Sequence, residues 1–154
     1  MQRRTFLKGS LAGSAVAVAV GAGLLSPRTV LAAWPKAAFE AKSVEDALTG
    51  LFGSAANTPS ADITIKAPDI AENGAVVPVT VSTSLGNVDS IAVIAEKNGT
   101  PLASNFKLGA NTVPDVSTRI KMGKTSDVIA VVKANGKAYS ARKNVKVTIG
   151  GCGG

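Results

Sequence analysis

The chain has 154 residues, a formal net charge of +7, a single cysteine and no histidine. The length is enough for one domain with one core. One cysteine excludes an internal disulfide, and the lack of histidine removes the usual general base, the usual partner of a nucleophilic serine or cysteine, and the commonest transition-metal ligand.

Residues 2–8 read QRRTFLK, a twin arginine at Arg3 and Arg4 before Phe6, Leu7 and Lys8, and a mild apolar run follows from Leu11 to Leu25. This is the pattern of an export signal with a basic start and an apolar middle. The run is shorter than the ~20 residues a membrane-spanning helix needs. Small residues at Val30-Leu31-Ala32 place cleavage after Ala32, so residues 1–32 are assigned as a twin-arginine signal peptide and the destination as the periplasm. That route carries folded cargo, which points to a cofactor or a signal-less partner acquired before export. The signal contains Arg3, Arg4, Lys8 and Arg28 and no acid, so its removal lowers the net charge from +7 to +3. That excess is ordinary surface chemistry and gives no warrant for a nucleic-acid or membrane partner.

Residues 33–60 are expected to hold an irregular arm, one short helix and a linker. Ser43 followed by Val44, Glu45 and Asp46 has the form of an N-cap with acids in the first turn. Val44, Ala47, Leu48 and Leu51 recur at helical spacing, and Gly50 and Gly53 supply the stop. Residues 54–60, SAANTPS, have linker composition.

From Asp62 the apolar period changes to two. Ile63 and Ile65 alternate with polar neighbours, as do Val77, Val79 and Val81. Runs rich in Val, Ile and Thr follow at 91–95, 102–108, 116–122, 128–133, 137–141 and 145–149. Asn73-Gly74, Gly86-Asn87, Asn98-Gly99 and Asn135-Gly136 separate them, and the last pair predicts a two-residue hairpin. Pro78 cannot donate to a ladder and marks its strand as an edge or a bulge. Seven or eight strands in residues 61–149 predict an all-β, immunoglobulin-like antiparallel β-sandwich.

The chain ends VKVTIGGCGG. Strand character stops at Ile149, and three residues of ~3.3–3.6 Å each put the Cys152 backbone ~10 Å beyond the sheet. Gly150, Gly151, Gly153 and Gly154 impose few backbone restrictions, so residues 150–154 are expected to form a slender, flexible arm. Cys152 becomes a thiol handle for another protein's active site. Its nucleophilicity depends on the thiolate, which no sequence neighbour favours, so activation is expected from a docked partner. With no metal ligand set and no cofactor motif, the chain is not expected to be an enzyme, and no cofactor or metal is assigned.

These residues resemble the SoxY family, the sulfur-carrier subunit of the bacterial Sox thiosulfate-oxidising system. The resemblance is carried by the twin-arginine start, APDIAENGAVVPV at 67–79, EKNGTPLA at 96–103, STRIKM at 117–122 and the terminal VKVTIGGCGG. Gly99 stands where the family commonly has proline. The resemblance implies an immunoglobulin-like fold, a heterodimer with a SoxZ-like subunit, and covalent sulfur intermediates on Cys152. It further implies servicing by a c-type cytochrome that joins thiosulfate to the thiol, a manganese-dependent thiosulfohydrolase, and in some organisms a sulfane dehydrogenase. The alternative is a structural β-sandwich domain whose tail cysteine forms an intermolecular disulfide. A ubiquitin-like carrier using a terminal thiocarboxylate would need cytoplasmic adenylation and a helix across its sheet, which an exported β-rich chain does not suit.

Overall fold

The structure is a computed structural model, and it describes residues 35–148. Two short helices, α1 (Lys36–Glu40) and α2 (Val44–Phe52), precede nine strands: β1 (Thr58–Pro59), β2 (Ile63–Lys66), β3 (Ile70–Ala71), β4 (Val77–Thr83), β5 (Val88–Ala95), β6 (Leu102–Lys107), β7 (Asp115–Ile120), β8 (Ser126–Ala134) and β9 (Lys137–Val147).

The start of α2 follows the sequence reading. The Ser43 side chain accepts from the Asp46 N–H at 3.0 Å, with Glu45 and Asp46 in the first turn. Its end does not follow that reading in full. Gly50 lies inside the helix, and only Gly53, at φ +77°, terminates it by donating to the Thr49 carbonyl at 2.8 Å. A Cβ at Gly50 would sit 3.0 Å from Cα and Cβ of the fully buried Ala38. The glycine therefore serves close helix packing, and that contact holds α1, where an irregular arm was expected. A five-residue helix is too short to persist on local hydrogen bonds, so its stability comes from tertiary contact.

The strands form two sheets. The larger has the order β1-β9-β8-β5-β6, with β3 also paired to β9; the smaller has the order β2-β4-β7. Of the seven strands with four or more residues, the first, second and fifth make one sheet and the others make the second, which is the immunoglobulin-like division with the fourth strand moved beside the third. Ile63, Val77, Val79, Val81 and Ile120 on the small sheet meet Ile91, Val93, Val128, Ala130, Val132 and Val145 on the large one. Alternate residues of β5 and β8, namely Ala92, Ile94, Ile129 and Val131, point the other way and pack under Ala38, Ala47 and Leu48 of the helices. Burial on both faces explains why these two strands read as continuous apolar runs. The sandwich thus gains a third, helical layer.

Four further departures have local causes. Residues 58–59, within the expected linker, pair in parallel with Tyr139 and Ser140, and β3 pairs in parallel with Lys146 and Val147, so the sheets are not wholly antiparallel. Both cover the outer side of β9, an edge that would otherwise present unpaired backbone groups. The expected strands 137–141 and 145–149 are one strand over Lys137–Val147: its polar middle, Arg142 to Asn144, stays in register with β8 and ties outward to Glu96, Asp69 and Asp127. Pro78 is in the middle strand of its sheet rather than at an edge or bulge. Pairing with β2 extends only from Thr80 to Thr83, however, so at residue 78 that side has no ladder for proline to interrupt.

The Asn135-Gly136 hairpin forms as read, with φ of +52° and +75° between the paired Ala134 and Lys137. Asn135 also donates through Nδ2 to the Gly86 carbonyl and accepts from Asn87 Nδ2, locking two turns together.

Candidate functional site

Cys152 and its flanking Gly150, Gly151, Gly153 and Gly154 lie outside the described residues, as does the assigned signal at 1–32. What the structure describes is the base from which the C-terminal segment departs: the last turn of the ladder at β9, ending at Thr148.

That base is held on both sides. Toward β8, Val145 is fully buried opposite Ser126. Beyond it the Thr125 hydroxyl takes over from the ladder, accepting from the Val147 N–H at 2.9 Å and donating to the Val147 carbonyl at 3.3 Å. A hydroxyl can do both, which lets one side chain replace a strand neighbour. On the outer side, the Lys146 N–H donates to the Asp69 carbonyl at 2.9 Å and the Thr148 N–H to the Ala71 carbonyl at 3.1 Å. The Lys143 ammonium reaches the exposed Asp69 at Oδ1, 3.1 Å away, a solvent-screened pair that adds little energy by itself.

The turn after β3 closes over this strand end. Met122 donates its N–H to the Gly74 carbonyl at 2.7 Å, and a Cβ at Gly74 would overlap the Met122 carbonyl and lie 2.8 Å from Val147 Cγ1. Glycine at 74 is therefore required by close approach, not by a positive φ. From sequence, Asn73-Gly74 reads only as a strand separator. Its role appears when residues 74, 122 and 147, distant in sequence, are brought together.

At the same end of the sandwich, the β5–β6 turn and the β7–β8 connection enclose an open cleft of about 650 Å³, bordered also by Lys42 between the two helices. Lys97 and Lys121 and Lys124 line it, all exposed. Asn98 staples the two loops, donating through Nδ2 to the Lys121 carbonyl at 2.6 Å and accepting from the Gly123 N–H at 3.0 Å. Sequence reading did not find this cleft, because four lysines spread from 42 to 124 leave no local pattern.

Among the described residues no group of three His, Cys, Asp or Glu side chains could hold a metal ion, and no helix is long and apolar enough to cross a membrane.

Comparison with known proteins gives a family match. Residues 48–152 match the family described as sulfur oxidation protein SoxY. Among solved structures, the chain is similar to the sulfur carrier protein SoxY from Chlorobium limicola f thiosulfatophilum, at 44% identity and a TM-score of 0.64, covering 70% of this chain and 97% of that one. A likeness to superoxide reductase (neelaredoxin) from Ignicoccus hospitalis, in a single-substitution variant, has 21% identity and a TM-score of 0.50 over 60% of this chain and 81% of that one; it shows a shared fold alone. No curated protein is a significant match.

Proposed function

Because the chain belongs to the SoxY family, we propose that it is an exported carrier that holds sulfur covalently on Cys152 and presents it to enzymes of a sulfur-oxidising system. The observation that carries the proposal is the span of the family match, which runs to residue 152 and so takes in the only cysteine of the chain. The 44% identity to a sulfur carrier protein supports the same reading.

The base of the segment suits such a role. Four residue steps from Thr148 reach at most ~14 Å, so the range of the thiol is measured from a point that the sheet holds in place. An S–S link is a sensible tether because it forms and breaks by thiolate exchange. Joining thiosulfate to the Cys152 thiolate through its outer sulfur removes two electrons, which a c-type cytochrome would take up. Water then releases the sulfonate as sulfate on a manganese-dependent hydrolase and leaves one sulfur on the cysteine, for a sulfane dehydrogenase to oxidise further. A SoxZ-like subunit would complete the carrier, and the periplasm would be its compartment. The metals and haems belong to those partners; this chain supplies the attachment atom.

Intact-mass measurement of the protein from thiosulfate-grown cells tests the proposal. Thiosulfonate- or polysulfide-sized additions should appear on the C-terminal peptide, disappear on reduction, and be absent in Cys152→Ser. A tail that is unmodified or carries only glutathione, or a disulfide-linked dimer whose reduction changes no activity, would overturn it.

A further inference from the structure

We infer that the lysine cleft between the β5–β6 turn and the β7–β8 connection binds small sulfur oxyanions, the charged end of the cargo proposed for Cys152; the identity of the ligand rests on that proposal, but the existence of the site does not. Lys42, Lys97, Lys121 and Lys124 border the cleft and no carboxylate does. None of the four is in an ion pair among the described residues, and the carboxylates that do pair are taken up elsewhere: Glu40 by Lys36, Asp69 by Lys143, and Glu96 and Asp127 by Arg142. Glu96, the acid nearest in sequence to Lys97, is occupied by Arg142 at 3.0 Å. The positive field of the cleft is therefore not cancelled by an ion pair among the described residues, and like charges held around a concavity concentrate anions there.

Unpaired backbone N–H groups also belong to the lining residues. The N–H groups of Gly99, Thr100 and Lys124 have no acceptor among the described residues, and all three residues line the cleft. The Asn98 staple fixes the two loops relative to each other, so the backbone that carries these lysines keeps its spacing without an occupant. Lysine also suits a transient occupant. Its ammonium is a compact, strongly hydrated charge that attracts an oxyanion without the bidentate grip of arginine. The position is consistent with cargo on the C-terminal segment: Thr125, which binds both backbone groups of Val147, directly follows Lys124.

The test is a titration of the Cys152→Ser chain with thiosulfate and with sulfate, followed by backbone amide NMR shifts, with chloride at matched ionic strength as reference. This chain cannot load sulfur on residue 152, so the readout is separate from the carrier chemistry. Saturable shifts confined to residues 97–100 and 121–124, with thiosulfate and sulfate competing, are expected. Replacing Lys97, Lys121 and Lys124 together by alanine should weaken binding by at least about 10-fold, each exposed charge contributing a modest factor. Shifts that chloride reproduces, or an affinity the triple variant retains, would overturn the inference. So would saturable binding of an acidic peptide with no response to thiosulfate, which would assign the cleft to a protein partner. Failure of the carrier proposal shows instead as the absence of mass additions on the unsubstituted chain.

Discussion

Gly74→Ala probes the mounting of the C-terminal segment at its tightest point. The added Cβ meets the Met122 carbonyl and Val147 Cγ1. The first is backbone and cannot turn away, and the second belongs to the last residue of β9. Overpacking of this kind costs about 1–3 kcal/mol. If the turn retreats instead, it loses the 2.7 Å bond from Met122, worth about 1 kcal/mol. Either way the loss corresponds to a fall in Tm of roughly 5–15 °C for a domain of this size. The damage should also be local. Amide hydrogen exchange at Lys146 and Thr148, which donate to Asp69 and Ala71 just before the turn, should speed up more than exchange in β5 or β8. Gly99→Ala is the matched control, since a Cβ there meets nothing within 4 Å; it should be neutral or stabilising by less than about 1 kcal/mol. If Gly74→Ala unfolds at the same temperature as Gly99→Ala with unchanged exchange at 146 and 148, the close-approach argument is refuted.

Three other perturbations test separate layers. Ile94→Ala empties a fully buried site on the helix-facing side of β5 and should cost about 2–5 kcal/mol, with loss of helical signal in far-UV circular dichroism before the sheet melts; concerted loss of both would contradict a separable helix layer. Asn98→Ala removes both staples between the cleft loops and should lower stability by about 1–2 kcal/mol in urea unfolding while weakening oxyanion binding; an effect on neither would show that the staple is idle. Asn135→Ala places a Cβ-bearing residue without a backbone-mimicking amide at φ +52° and breaks the link to Gly86 and Asn87; a cost of about 1–2 kcal/mol, recovered by Asn135→Gly only in its backbone part, is expected from thermal unfolding of the three chains.

The features legible from sequence were those set by short-range physics. The Ser43 cap, the Gly53 stop and the Asn135-Gly136 hairpin each depend on residues within a few positions of one another, and each is present. Period-two alternation identified the strands of the small sheet, which bury one face. The misreadings came from partners far along the chain. Gly50 reads as a breaker from sequence because its use, contact with Ala38, depends on a helix that local propensity does not predict. Arg142 to Asn144 interrupted the apolar pattern of β9, and only their pairing with β8 and their ties to Glu96, Asp69 and Asp127 keep the strand whole. The lysine cleft had no signal because its charges come from three separate connections.

The family, the all-β sandwich and the position of the only cysteine are legible without any coordinates. The sandwich follows from the period of the apolar residues, and the family from the resemblance of several contiguous stretches, all of which are properties of neighbouring residues. The tertiary structure alone decided which strands share a sheet, that helices cover the outer face of the larger one, and that β9 is braced on both edges up to Thr148. It also decided that four lysines surround one cleft. Each of these is a contact between segments tens of residues apart. Such contacts are chosen by which buried faces fit together and by where unpaired edges and uncancelled charges are left, and no local pattern carries that information.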